Sequence, residues 1–238
     1  MMTAVFRSLA LASALTVTAG AAAATTVTLG RQESNIFGTN GYRTGTITPG
    51  GSVAAGGFAV EVASGDLGIA HLADAFTAFC LDIGHNLSLP SSYEATTTPF
   101  AGSTLSSAQR GAIRALFNTG YNPAQLGDAN YSAGFQLALW EIVNETSGTY
   151  ALGGGAFSAT GFVGAISVAN ALLGNLGATP TGNWRVVYLQ SLDGPDRNLV
   201  QDSQNLVTVA AVPLPAAGLL LLAALGGLGA ASRRRRTA

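Results

Sequence analysis

Lysine is absent from this 238-residue chain: all 11 basic residues are arginine, so no side chain carries an amine. Charged residues make up only 10%, against about 25% in an ordinary domain. An exposed surface must therefore be built largely from Thr, Ser, Asn and Gln. The single cysteine, Cys80, excludes an intramolecular disulfide. One Cys and two His at no ligand-like spacing give no basis for a metal site, and no cofactor is expected. The formal net charge of −1 conceals an asymmetry. Arg7 and Arg233 to Arg236 lie at the ends, which leaves six arginines facing all twelve acids, a net −6 for the middle of the chain. Phosphate backbones need clustered basic residues, so nucleic acid is not an expected partner.

The two ends carry addresses. Arg7 forms a small positive region, Leu9 to Val17 a short apolar one, and Ala21 to Ala24 offer A-x-A cleavage sites. That order reads as a secretory signal peptide over 1–24. At the other end, Val212-Pro213-Leu214-Pro215-Ala216 leads into an apolar run ending at Arg233-Arg234-Arg235-Arg236. The uncharged stretch from Leu214 to Ala231 spans about 27 Å as a helix, near the lower limit for crossing a bilayer. The arginines mark its cytoplasmic end. The arrangement of 212–238 resembles the PEP-CTERM sorting signals of bacteria, in the variety whose motif reads VPLPA. The resemblance implies transient anchoring in the inner membrane of a Gram-negative-type cell. It also implies processing by an exosortase near the motif and delivery to the cell surface or extracellular matrix. A plain C-terminal anchor would account for the span and the arginines, but not for the motif.

Between these ends, 25–211 is long enough for one domain. Thr25 to Leu29, Tyr42 to Thr48 and Phe58 to Val62 alternate as strands, and Ala75 to Ile83 forms a stronger one. Ser106-Ser107-Ala108-Gln109 is a capping box opening a first helix. Ser132 can cap a second helix running to about Glu145, and a glycine-weakened third is expected within 160–176. Strands return at Trp184 to Gln190 and Leu206 to Val212. The order predicts an α+β domain, a β-sandwich or barrel-like sheet with an inserted helical segment. Gly153 to Gly155 reads as a loop, and Asp193-Gly194-Pro195-Asp196 as a turn rather than a calcium loop. His71 reads as a loop or surface residue.

On the second helix, a wheel at about 100° per residue sets Glu141, Asn144 and Glu145 on an apparent solvent face. Gln136 falls inside the opposite arc with Phe135, Leu139, Trp140 and Val143. A buried amide must find a partner, because leaving it unsatisfied costs about 1–3 kcal/mol. On the Ala75 to Ile83 strand, alternation puts Phe76, Ala78 and Cys80 on one face and Phe79, Leu81 and Ile83 on the other. Both faces are apolar, so helices must cover one of them. A meeting of Cys80 and Gln136 is therefore plausible.

Phe79-Cys80-Leu81-Asp82 and Phe135-Gln136-Leu137-Ala138-Leu139-Trp140 resemble the two signatures of bacterial thioester domains, known from surface adhesins. The resemblance implies that Cys80 is the thioester sulfur and Gln136 the acyl donor. Trp140, with Phe79 and Phe135, would shield the bond from water. The product would be a single-use covalent adhesin reacting with an amine-bearing surface or matrix ligand, and not a turnover enzyme. Leu139 stands where isoleucine is more usual. Asp82 is a candidate for proton transfer, although an aspartate there also commonly marks a strand end. Cys80 and His85 lie on opposite faces if the strand is continuous, which disfavours a thiol–imidazole hydrolase. The competing reading is a non-reactive structural or matrix binding module with Cys80 as inert packing.

Overall fold

The computed structural model describes residues 25–67, 72–99, 104–192 and 203–212. The expected signal peptide, His71, the 193–196 turn and nearly all of the sorting signal lie outside them. Among the described residues no helix is long and apolar enough to cross a membrane.

Six strands come first: Thr25–Arg31 (β1), Tyr42–Thr48 (β2), Gly51–Gly56 (β3), Phe58–Gly65 (β4), Ala75–Cys80 (β5) and Ser91–Thr96 (β6). Helices Ser107–Gly120 (α1) and Ala129–Asn144 (α2) follow, then Ser158–Thr160 (β7) and helix Ala165–Gly174 (α3). Trp184–Ser191 (β8) and Leu206–Ala211 (β9) complete the order. The class is α+β. Six antiparallel strands close a barrel in the order β1-β4-β5-β9-β8-β6, and β3-β2-β7 form a separate sheet.

β5 is buried on both faces because it is walled on both. Ala78 and Cys80 share one face. Phe79, on the other, enters an aromatic cluster with Phe117 of α1 and Phe135 of α2, at ring-centre distances of 6.1 and 4.7 Å. Phe79, Phe117 and Phe135 are fully buried, each stabilising the fold by about 1.5–3 kcal/mol through burial. This seam fixes α2 across the end of β5.

α1 begins with the expected capping box: Ser106 Oγ accepts from Gln109 N–H, and Gln109 Oε1 accepts from Ser106 N–H. α2 ends as expected, with Glu145 as its C-cap, but begins earlier than expected. Its N-cap is Asp128, whose carboxylate accepts from Asn130 and Tyr131 N–H. Ser132 lies inside the helix, and its hydroxyl accepts from Gly57 N–H. The solvent face assigned to Glu141 and Glu145 is also corrected, since both are buried. α2 is wrapped by α1, α3 and the strands, and a central helix has no solvent face. Gly134 permits the approach of α3, because a Cβ there would stand 2.7 Å from Val168 Cγ1. The two carboxylates instead hold the following loop. Glu141 accepts from Ala151 N–H, and Glu145 from Thr146, Ser147 and Ala156 N–H.

β5 stops at Cys80, three residues short of the expected end, where the chain bends at Leu81 and the Asp82 carboxylate accepts from Asn205 N–H. β3, β6 and β7 are strands that alternation did not reveal. They are short and rich in Gly, Ala, Ser and Thr, so pairing rather than an apolar stripe defines them.

Candidate functional site

β4 begins at Phe58, opposite Ala78, so Cys80 extends beyond its neighbour and one backbone edge is left without a strand. Gln136 fills that gap. Its Oε1 accepts from Cys80 N–H at 2.8 Å, and its Nε2 donates to Cys80 C=O at 2.9 Å. The carboxamide thus substitutes for the peptide of a missing strand, and this satisfies the buried amide that the wheel placed in the apolar arc. It also removes Gln136 from the sulfur, so the expected meeting of the Cys80 and Gln136 side chains does not form.

The carboxamide that meets the sulfur belongs to Gln204. Cys80 pairs with Leu206 across β5 and β9, so Gln204, two residues earlier, lies on the same face as Cys80 and diagonal to it. Sγ stands 2.6 Å from Gln204 Oε1 and 2.5 Å from the Asp82 carbonyl oxygen, closer than non-bonded sulfur and oxygen ordinarily pack. The segment bearing Gln204 is clamped on every side. Gln204 N–H donates to Asn86 C=O at 3.1 Å, and Leu81 N–H donates to Asn205 C=O at 2.9 Å. Asn205 N–H donates to Asp82 Oδ2 at 2.9 Å. Ser203 Oγ accepts from Ser88 N–H and lies 2.7 Å from the Tyr93 hydroxyl. The side chain so positioned has the sulfur as its hydrogen-bonding neighbour.

Burial pushes the Cys80 thiol far above its ordinary pKa. The negative charge of Asp82 adds to this, while the Trp140 indole N–H and the Asp82 backbone oppose it. The indole N–H is buried and makes no hydrogen bond of standard geometry among the described residues. A neutral thiol is therefore the resting form of the free cysteine.

Cys80, Gln204 and Trp140 line one wall of a cavity of about 520 Å³. Phe37, Ile47 and Phe58 supply much of its apolar lining, and Arg31, Asn35, Asp82 and His85 supply polar groups. With the strand ended at Cys80, His85 folds back to Asp82, with Nδ1 at 3.1 Å from Oδ1. The imidazole thus engages Asp82 and not the sulfur. Of the expected shields, Trp140 lies at the sulfur, whereas Phe79 and Phe135 stand behind β5 on its opposite face. Among the described residues no group of His, Cys, Asp and Glu could hold a metal ion.

Gln204 escaped the sequence reading because nothing near it in the chain marks it. Only the adjacency of β5 and β9, strands 126 residues apart at the paired positions Cys80 and Leu206, brings it to Cys80. The usable signal was its parity with Leu206 on a strand already expected there.

No family model matches the chain, and no curated protein matches it. Among solved structures it is similar to the N-terminal domain of the Streptococcus pyogenes pilus tip adhesin Cpa. The identity is 16% over 77% of this chain and 99% of that one, with a TM-score of 0.37.

Proposed function

We propose that this protein is an exported surface or matrix domain carrying an internal thioester between Cys80 and Gln204, which captures one amine-bearing ligand covalently. The observation that carries the reading is the buried contact of Sγ with a carboxamide held in place by its clamped backbone. In the forming step sulfur attacks Gln204 Cδ. The S–Cδ bond forms, the Cδ–Nε2 bond breaks, and the thiol proton leaves with the nitrogen as ammonia. In the capture step a primary amine attacks Cδ, the Cδ–S bond breaks, a proton from the amine returns to sulfur, and an amide remains.

The environment suits a bond that must wait. A thiol of raised pKa is a reluctant leaving group, so water opens the thioester slowly while Trp140 walls off the sulfur. The lysine-free chain offers no side-chain amine to consume it. Asp82 and His85, in the same cavity, form the path by which the amine proton is accepted. This gives Asp82 the proton-transfer role while its other oxygen fixes Asn205. In this reading the VPLPA motif at 212–216 and the arginines at 233–236 direct export and processing by an exosortase, after transient anchoring in the membrane.

The test is the intact mass of the purified protein. A thioester makes it lighter by one ammonia, and methylamine adds while releasing one titratable thiol. Full calculated mass with Cys80 free from the outset would support the inert binding module instead.

A further inference from the structure

Three of the five arginines among the described residues line one small cavity away from Cys80. Arg110 and Arg114, one turn apart on α1, and Arg185 on β8 enclose about 180 Å³ together with Thr97, Thr98, Pro99, Val186 and Tyr188. The place follows from the barrel. β6 ends at Thr96, opposite Tyr188, so the β8 edge beyond it has no strand, and α1 closes the gap from above. Leu189 neighbours the Cys80 register and Arg185 lies four residues back, about 13 Å along the strand.

Exposed arginines alone are ordinary, but Tyr188 is not exposed. It is 4% accessible, and no hydrogen bond to its hydroxyl is formed among the described residues. Burial raises its pKa, and the charges of Arg114 and Arg110, which line the same cavity, oppose that rise. Arg110 is held by its Nη1 donating to Leu105 C=O at 2.6 Å. Among the described residues no carboxylate forms an ion pair with any of the three arginines. The cavity therefore gathers three guanidinium groups that cannot deprotonate and a buried phenol, and no carboxylate lines it. This occurs in a chain whose middle is otherwise acidic.

We infer that this cavity is a binding site for a tetrahedral oxyanion, phosphate or sulfate, free or borne as an ester on a larger ligand. Forked guanidinium donors suit such oxygens bidentately, and Tyr188 supplies a further donor from the floor. The site is independent of the thioester chemistry.

The experiment is calorimetric titration of inorganic phosphate, inorganic sulfate and glucose 6-phosphate into the purified protein, with sodium chloride at matched ionic strength as the control. Saturable binding of at least one of the three probes is expected, with Arg114→Gln and Arg185→Gln each weakening it about tenfold. Tyr188→Phe is expected to weaken it about threefold, with circular dichroism confirming that the variant is folded. Tighter binding of the sugar phosphate than of the free ion identifies an ester-borne group as the ligand, and the reverse order identifies the free ion. Heats no different from those of chloride, or binding unchanged in the Arg114→Gln, Arg185→Gln double variant, would overturn the site.

Discussion

Both ends of the barrel leave a strand edge open, and each is closed by a carboxamide carried on a helix. At one end Gln136 of α2 bonds the N–H and C=O of Cys80. At the other, Asn118 of α1 accepts from Trp184 N–H at 2.8 Å and donates to Trp184 C=O at 3.2 Å. The repair is the same, but the neighbouring chemistry is opposite. Beside Gln136 lies a neutral thiol against a neutral amide, among groups that are almost all paired. Beside Asn118 lies a cavity lined by three guanidinium groups and, among the described residues, no carboxylate. A covalent bond that must survive in water needs an environment already satisfied, whereas reversible capture of an anion needs donors left open for it.

The comparison makes graded predictions. The largest concerns the two glutamines around Cys80. Gln204→Ala abolishes both the missing ammonia and methylamine uptake, read by intact mass, with little loss of stability. Gln136→Ala leaves the Cys80 N–H and C=O buried and unpaired. It should lower unfolding free energy by about 2–6 kcal/mol in a denaturant titration, at about 1–3 per orphaned group. Next, His85→Ala should keep the thioester, seen as the unchanged mass deficit, but slow methylamine uptake on the order of a hundredfold, the usual scale of a positioned proton acceptor. An unchanged rate would remove His85 and Asp82 from the proton path while leaving the thioester intact. At the other end, Asn118→Ala should cost about 1–2 kcal/mol, less than Gln136→Ala because its site is only partly buried, and should leave the mass deficit untouched.

The smallest effect expected is on pH dependence. Backbone N–H groups of Ala156 and Ser147 hold the Glu145 carboxyl below its ordinary value of 4.5. Its contribution is therefore present above that value and is lost as pH falls through the lower, folded one. Glu141 has the opposite sign, because burial raises its pKa. It favours the fold at low pH and weakens it as pH rises through the ordinary carboxylate range. Thermal unfolding between pH 3 and 6 should accordingly show a flatter acid limb for Glu145→Gln and a steeper one for Glu141→Gln, relative to the unsubstituted protein.

Much of the barrel could be read from alternation, because β1, β4, β5, β8 and β9 present apolar residues at period two or as buried runs. The α1 cap could be read from four residues. Strands whose side chains are Gly, Ser and Thr could not, since their identity lies in their partners. The burial of Glu141 and Glu145 was hidden because a wheel describes one helix and says nothing of the three layers around α2. At the site, the sequence supplied Cys80, Asp82 and Trp140 and the fact that Gln136 must be buried against β5. It could not say that Gln136 would serve the backbone of Cys80 rather than its sulfur. That depends on β4 starting two residues too late to cover Cys80. Gln204 required the β5–β9 adjacency, a contact between distant segments that local pattern does not encode.

The absence of lysine makes the decisive measurement simple, because trypsin can cut only after arginine. Cys80, Gln136 and Gln204 then fall in separate peptides, 44–110, 115–185 and one beginning at 198. After treatment with isotope-labelled methylamine, mass spectrometry of the digest should place the label on Gln204 and a newly alkylatable thiol on Cys80. Label on Gln136, or no label with Cys80 alkylatable before treatment, would contradict the account.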